Sequence, residues 1–326
     1  VIARTAYGAL FLVAVPAGLV LWAAATNAVV PLPAIRSGVA GTTSMGVRLV
    51  LFVWGVRDLM ARGGGLPMNA FPPPHFVRSG IYQWIRNPIY IGFGLACAGA
   101  SIAAGSPSGL WLVTPVACLA CAALVYGFER HDLVRRFGDI ALRPPLLSLP
   151  RGGGEAPTPV QRAAVVVWVL IPWLIAYFAV KAVGIAPDAF ETTLPFERDW
   201  PVLQWTELLY ASTYLVIPIT VLLIHTQRDL RRFAVQANLA IPVVTLIWLT
   251  VPVVAANRPF TVAHPLGWLL AFEQGHSNGA AAFPAFHVVW GLVAAEAWAA
   301  NARVSRRPLW SWAGWAWVSL MTLSCL

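Results

Sequence analysis

Charged side chains are scarce in this chain. Only 11% of its 326 residues are Asp, Glu, Lys or Arg, where a soluble domain carries roughly 25%. Hydrophobic residues reach 59% and the mean hydropathy is +0.70, so too little polar surface exists to coat a globule in water. A soluble enzyme, a disordered tail and a nucleic-acid module are thereby excluded as descriptions of the whole chain. Lysine is almost missing: Lys181 stands alone, and every other basic side chain is arginine. The net charge of +9 calls for no nucleic acid, because basic residues collect in the cytoplasmic loops of membrane proteins. Arginine in place of lysine, with abundant Ala, Gly and Pro, points to a bacterial source. Cysteine is also sparse. Cys97, Cys118, Cys121 and Cys325 lie in apolar stretches and read as small buried hydrophobes, with no disulfide framework and no metal site implied.

What is abundant is long apolar sequence. Runs of about 20 such residues are long enough to cross a bilayer as helices. They fall at 8–29, 46–61, 88–105, 109–128, 162–184, 204–225, 233–254, 281–300 and 308–326. The expectation is an all-α polytopic membrane protein of about nine transmembrane helices in two bundles. With the N-terminus inside, 17 basic residues fall in inner segments and five in outer ones, which favours that orientation. A bacterial inner membrane with a cytoplasmic N-terminus is the expected location. The acidic loop holding Asp188, Glu191, Glu197 and Asp199 is then outside.

Residues 143–159 contain Pro144, Pro145, Pro150, Gly152, Gly153, Gly154, Pro157 and Pro159. Such a stretch reads as an irregular linker. It divides the chain into one module over 1–142 and another over 160–326. No internal repeat relates the two.

In the first module, a Gly/Pro-rich loop with interfacial aromatics leads into Arg86, Asn87 and Tyr90, which open one helix. Glu129 closes the next but one on the same membrane face. An ordinary juxtamembrane anchor has aromatics at headgroup depth and snorkelling arginines. A guanidinium and a carboxylate meeting at a membrane surface can instead bind a small zwitterion. Gly80, Tyr82, Arg86, Asn87, Pro88, Tyr90 and Gly92 are followed, after a helical hairpin, by Glu129, Leu133, Phe137 and Gly138. This pattern, within about residues 46–150, resembles the integral-membrane methyltransferases that include isoprenylcysteine carboxyl methyltransferase and the phospholipid N-methyltransferases. The resemblance implies S-adenosylmethionine as cofactor, a cytoplasmic-side pocket involving Arg86, Asn87, Pro88, Tyr90, Gly92 and Glu129, and a membrane lipid or isoprenoid substrate. The chain departs from the family pattern at Arg130, where a second glutamate is usual. Reversing that charge beside a sulfonium cofactor weakens its binding.

In the second module the chemistry-bearing residues are Arg258 and His287. Each alone reads as structural, a snorkelling arginine and a satisfied histidine. Together, a guanidinium can hold phosphate and an imidazole can protonate a leaving oxygen. Arg258–Pro259 and Phe283–Pro284 with His287, in keeping with Asn278 and Val288, resemble two signatures of the phosphatidic acid phosphatase type 2 superfamily, in its inositolphosphoryl-transferase-like branch. That resemblance implies lipid-phosphate hydrolysis or phosphotransfer on the outer face, with His287 as general acid and Arg258 as phosphate ligand. Ala285 replaces a serine of the signature, Val251 a frequent lysine, and the third signature would lie beyond Leu326. Glu296, inside an apolar span, reads as a carboxylate satisfied by Arg303 or solvent.

Two functions from different classes follow. One is a bifunctional lipid-modifying enzyme, methylating inside and handling lipid phosphate outside. The other is a non-catalytic lipid-binding protein or transporter, favoured by Arg130, Val251 and Ala285. The visible pattern lacks the related halves of many transporters.

Overall fold

The computed structural model describes residues 2–191, 200–251, 253–255, 258–276, 279–305 and 308–324. Glu197, Asp199, Asn278, Cys325 and Leu326, named above, lie outside them. The protein is all-α and polytopic, 72% helical with almost no strand. In order, the helices are α1 (Ile2–Thr26), α2 (Gly38–Gly63), α3 (Ile81–Trp84), α4 (Pro88–Ala104), α5 (Gly109–Leu142) and α6 (Pro159–Val183). Then come α7 (Gln204–Leu223), α8 (Gln227–Thr250), α9 (Gly267–His276), α10 (Phe286–Ser305) and α11 (Pro308–Leu323). Six of them, α1, α2, α5, α6, α7 and α8, are long and apolar enough to cross a membrane, and α4 is a shorter apolar helix. Leu21, Leu119, Ile175, Leu222 and Leu246 are exposed on their surfaces, as expected of side chains that face lipid. Each of the nine apolar stretches overlaps a helix, but residues 281–285 lie outside α10 and Val253–Val254 are strand. Among the described residues, six helices rather than nine have the length and composition of a span. The strands are the two-residue β1 (Phe190–Glu191) and β2 (Val253–Val254), paired in parallel.

The chain divides into two compact units, Val1–Leu147 and Ser148–Leu326. In the first, α2 packs antiparallel on α4 through small residues. A Cβ on Gly41 would lie 2.8 Å from Ala103 Cβ, and one on Gly99 would lie 2.9 Å from Ser44 Cβ. At the other end, a Cβ on Gly55 would meet Ile89 at 3.0 Å. In lipid, helices gain little by hiding apolar surface, so close van der Waals approach over small residues holds them together. This explains why α2 begins at Gly38 rather than near 46, as expected. Its Gly/Thr/Ser-rich first turns have weak hydropathy but form the close contact, and the Ser37 hydroxyl caps them by accepting from Ala40 N–H. α1 is tied to α5 at one end: Asn27 Oδ1 accepts from Ser106 Oγ at 2.9 Å and from Ser108 N–H at 3.2 Å.

In the second unit, α8 is the central helix. Leu230, Phe233, Ala234, Ala237, Ile241, Val244 and Trp248 form its buried stripe. They pack with Val165 and Val169 of α6, Val216, Ile217 and Val221 of α7, and Phe286, Trp290 and Ala294 of α10. Residues 143–158 hold neither helix nor strand, yet they do not run free. Gly153 and Glu155 carbonyls accept the Arg228 and Gln227 N–H groups at the start of α8, both at 2.9 Å, which satisfies donors that a helix N-terminus leaves open. The stretch then ends in a capping box, with Thr158 and Gln161 exchanging side-chain bonds across the first turn of α6. Glu296 is held by an ion pair to Arg232 and by Gln236 Nε2 at 2.8 Å, both from α8. The expected partner, Arg303, has no described side chain. Cys118 is exposed and Cys97 and Cys121 are half-buried, so the expected burial of the cysteines is incomplete.

Replacing Gly41 by Leu should cost about 1–3 kcal/mol through overpacking against α4. Gly46, on the same helix with open space around it, should accept Leu within about 0.5 kcal/mol. Thermal unfolding of the two variants in detergent checks this, and equal midpoints would deny the close approach.

Candidate functional site

The site begins with a buried carboxylate. Asp58, near the end of α2 and 4% exposed, accepts from the Ile81 N–H at 2.8 Å and from Arg62 Nη1 at 3.0 Å. Gly80 precedes that N–H with a φ of 63°, and a Cβ there would lie 1.9 Å from Asp58 Oδ2. Only glycine lets the backbone come so near the carboxylate. Asp58 thus fixes where α3 starts. After α3, Asn87 is the N-cap of α4, and Pro88 takes its first position, where a missing N–H costs nothing.

On the first turn of α4, the Tyr90 hydroxyl donates to Glu129 Oε1 of α5. Asn69, from the loop after α2, donates to the same hydroxyl at 3.0 Å. Tyr82 of α3 lies within the fields of both Asp58 and Glu129. Burial, and then those two carboxylates, push its phenol well above the ordinary tyrosine value. Glu129 does not close its helix, contrary to expectation: α5 runs on to Leu142. Wide π-helical turns lie at Leu59–Gly63, directly after Asp58, and at Val125–Glu129. Such turns recur at functional sites.

The extension of α5 clamps the loop over these helix ends. Phe137 stacks on Phe76 with centroids 5.4 Å apart, and Arg136 donates to the Pro73 carbonyl. From α1, the Arg4 guanidinium lies 5.4 Å from the Phe71 ring centre. Of the residues expected here, Tyr90 and Glu129 are brought into direct contact. Arg86 instead donates to the Arg143 carbonyl at 2.7 Å, where residues 146 and 147 also return to bond α3 carbonyls. Pro88 and Gly92 serve the α2–α4 contact. Pro88 is fully buried, and a Cβ on Gly92 would lie 3.3 Å from the Arg48 carbonyl. Arg130, at the departure from the family pattern, is exposed. Sequence reasoning missed Asp58 and Asn69. Asp58 was visible only as an unusual acid at the end of an apolar run.

Residues 37–139 match the phospholipid methyltransferase family model. The match covers Asp58, Asn69, Tyr82, Arg86, Tyr90 and Glu129, and supports a membrane methyltransferase. No curated protein and no solved structure matches the chain.

In the second unit, Arg258 Nη1 donates to the Trp200 carbonyl at 3.4 Å. The His287 ring, on the first turn of α10, meets the edge of Tyr210 with centroids 4.9 Å apart. A phosphatase-type second half finds no support in the comparisons. Among the described residues, no three His, Cys, Asp or Glu side chains gather as a metal site.

The raised Tyr82 phenol has a sign that can be read. Folding favours its neutral form, so the contribution is complete below the unfolded tyrosine value of about 10. It is lost as pH rises from there through the higher folded value. Unfolding midpoints measured between about pH 9 and 11 should fall more steeply for the wild type than for Tyr82→Phe. Parallel curves would show that the phenol titrates freely.

Proposed function

We propose that the first unit transfers a methyl group from S-adenosylmethionine to a membrane lipid or isoprenoid at the cytoplasmic face. The observation that carries this reading is the Asn69–Tyr90–Glu129 contact, which lies inside the segment matching the methyltransferase family. The arginine distribution favours the cytoplasmic side. The side chains present fit the cofactor by type. Its amino-acid end needs an acceptor for an ammonium and a donor for a carboxylate, and Glu129 and Arg86 are such groups. When bound, the cofactor supplies an electrophilic methyl group on a sulfonium.

The chain's own residues do the positioning. Tyr90 and Asn69 fix Glu129 in place, and its negative charge favours a cationic ligand. Asp58, through Ile81, sets the start of α3 and hence the place of Tyr82. Asn87, Pro88 and Gly92 hold the first turns of α4 against α2, which keeps the Tyr90 hydroxyl in reach of Glu129. The clamped loop limits water around this group. Arg130 is exposed, so its charge is well screened by solvent.

Phosphotransfer by the second unit has no comparable support. Arg258 donates to the Trp200 carbonyl and His287 meets the Tyr210 ring, and Glu207 and Glu273 make the surroundings of Tyr210 and Tyr214 acidic, a poor setting for phosphate.

The purified full chain should give saturable heat with S-adenosylhomocysteine, and Glu129→Gln should weaken binding by about tenfold or more. In membranes with radiolabelled cofactor, Glu129→Gln should lower methyl incorporation into lipid by about a hundredfold. Absence of heat at roughly millimolar ligand, with no labelled lipid, would overturn the reading.

A further inference from the structure

The second unit holds a polar cluster outside the segment that matches the methyltransferase family. Glu207, Tyr210 and Tyr214 are spaced at i, i+3 and i+7, which places them on one face of α7. Glu207 is 5% exposed, and its Oε1 is buried with no hydrogen-bond partner. The charge acting on it is a second carboxylate, Glu273 of α9. Glu273 accepts from the Tyr214 hydroxyl at 2.8 Å, and its field also reaches Tyr177 of α6. Tyr210 and Tyr214 are edge to face at 6.3 Å. Two carboxylates that feel each other's field, one with a buried oxygen lacking a hydrogen-bond partner, are costly when both are ionised. A proton or a cation relieves that cost.

We propose that this cluster binds an organic ammonium group, with Glu207 and Glu273 as its charge partners and the Tyr177, Tyr210 and Tyr214 rings around it. Carboxylates beside aromatic rings suit an alkylammonium, which gains from ion pairing and from the ring faces. A divalent metal fits less well. It wants a third charged or imidazole ligand at short range, and the described residues offer no such triad. The four helices α6, α7, α9 and α10 all belong to one compact unit, with His287 of α10 against the Tyr210 ring. The cluster is therefore assembled within one unit and needs no second chain. The ammonium could be that of a lipid headgroup or of a free amine, and both present the same charge and shape.

The test uses the full chain in phosphatidylglycerol nanodiscs, titrated with tetramethylammonium and ethylammonium by calorimetry. A parallel arm places it in nanodiscs of mixed phosphatidylglycerol and phosphatidylethanolamine and counts retained lipid by native mass spectrometry. Saturable binding of a free ammonium identifies a soluble ligand, and retention of phosphatidylethanolamine alone identifies a headgroup. In either case Glu207→Gln and Tyr214→Phe should each weaken binding by about tenfold. Saturating S-adenosylhomocysteine should leave this Glu207-dependent binding unchanged, so failure here is distinct from failure of the methyltransferase reading. Glu207→Gln removes a buried charge and should unfold at or above the wild-type midpoint, which separates lost binding from lost fold. No binding in either arm, or equal binding in a folded Glu207→Gln variant, would overturn the proposal.

Discussion

A single buried carboxylate sets the geometry of the first unit. Asp58 takes its hydrogen bonds from Arg62 on its own helix and from the Ile81 backbone across the loop. A buried charge without partners costs several kcal/mol, so the loop between α2 and α3 must return to it. Gly80 is the residue that makes the return sterically feasible. Once α3 starts there, Tyr82 falls between two carboxylates, and α4 follows after three residues with Tyr90 on its first turn. The Tyr90–Glu129 contact depends on that register. The clamp formed by Arg136 and Phe137 closes the same loop from the far side.

The two units solve the lipid problem differently. α2 and α4 use glycine, alanine and serine to bring backbones together, so the contact is short-range and intolerant of added volume. Around α8 the contact is made by Phe233, Trp248, Phe286 and Trp290 with branched aliphatics. Large interlocking side chains give more dispersion contact over a wider separation. Both arrangements leave apolar residues facing outward, which in water would be a liability and in a bilayer is required.

Much of the architecture was legible because lipid demands long apolar runs, and each run at 88–105 or 162–184 announces itself by composition. Boundaries were less legible where packing overrules hydropathy. The start of α2 at Gly38 depends on contacts with Gly99 and Ala103, which a hydropathy scan cannot register. Tyr90 and Glu129 could be named because they sit in a spaced motif on helix ends. Asn69 could not, since it acts from an irregular loop whose fold is set by long-range contacts. Arg86 looked like a partner for Glu129 by charge alone, yet the returning residues 143–147 give its guanidinium a carbonyl. Glu207 was read only as part of an apolar run, because its significance lies in the proximity of Glu273, 66 positions away.

Tyr210 of α7 lies beside His287 of α10, and Thr220 Oγ1 accepts from Trp298 Nε1 ten residues further along α7. The two helices therefore point the same way, and parity follows from this. Neighbours that cross a bilayer in one direction must be joined by an odd number of intervening crossings. α8 supplies one. α9, with 10 residues, rises about 15 Å, half of the roughly 30 Å hydrocarbon thickness, and cannot supply another. If α10 crosses as α7 does, the described residues between the end of α8 and the start of α10 stay on a single side of the membrane. Glu273, Arg258 and the first turn of α10 that carries His287 then belong to one membrane face.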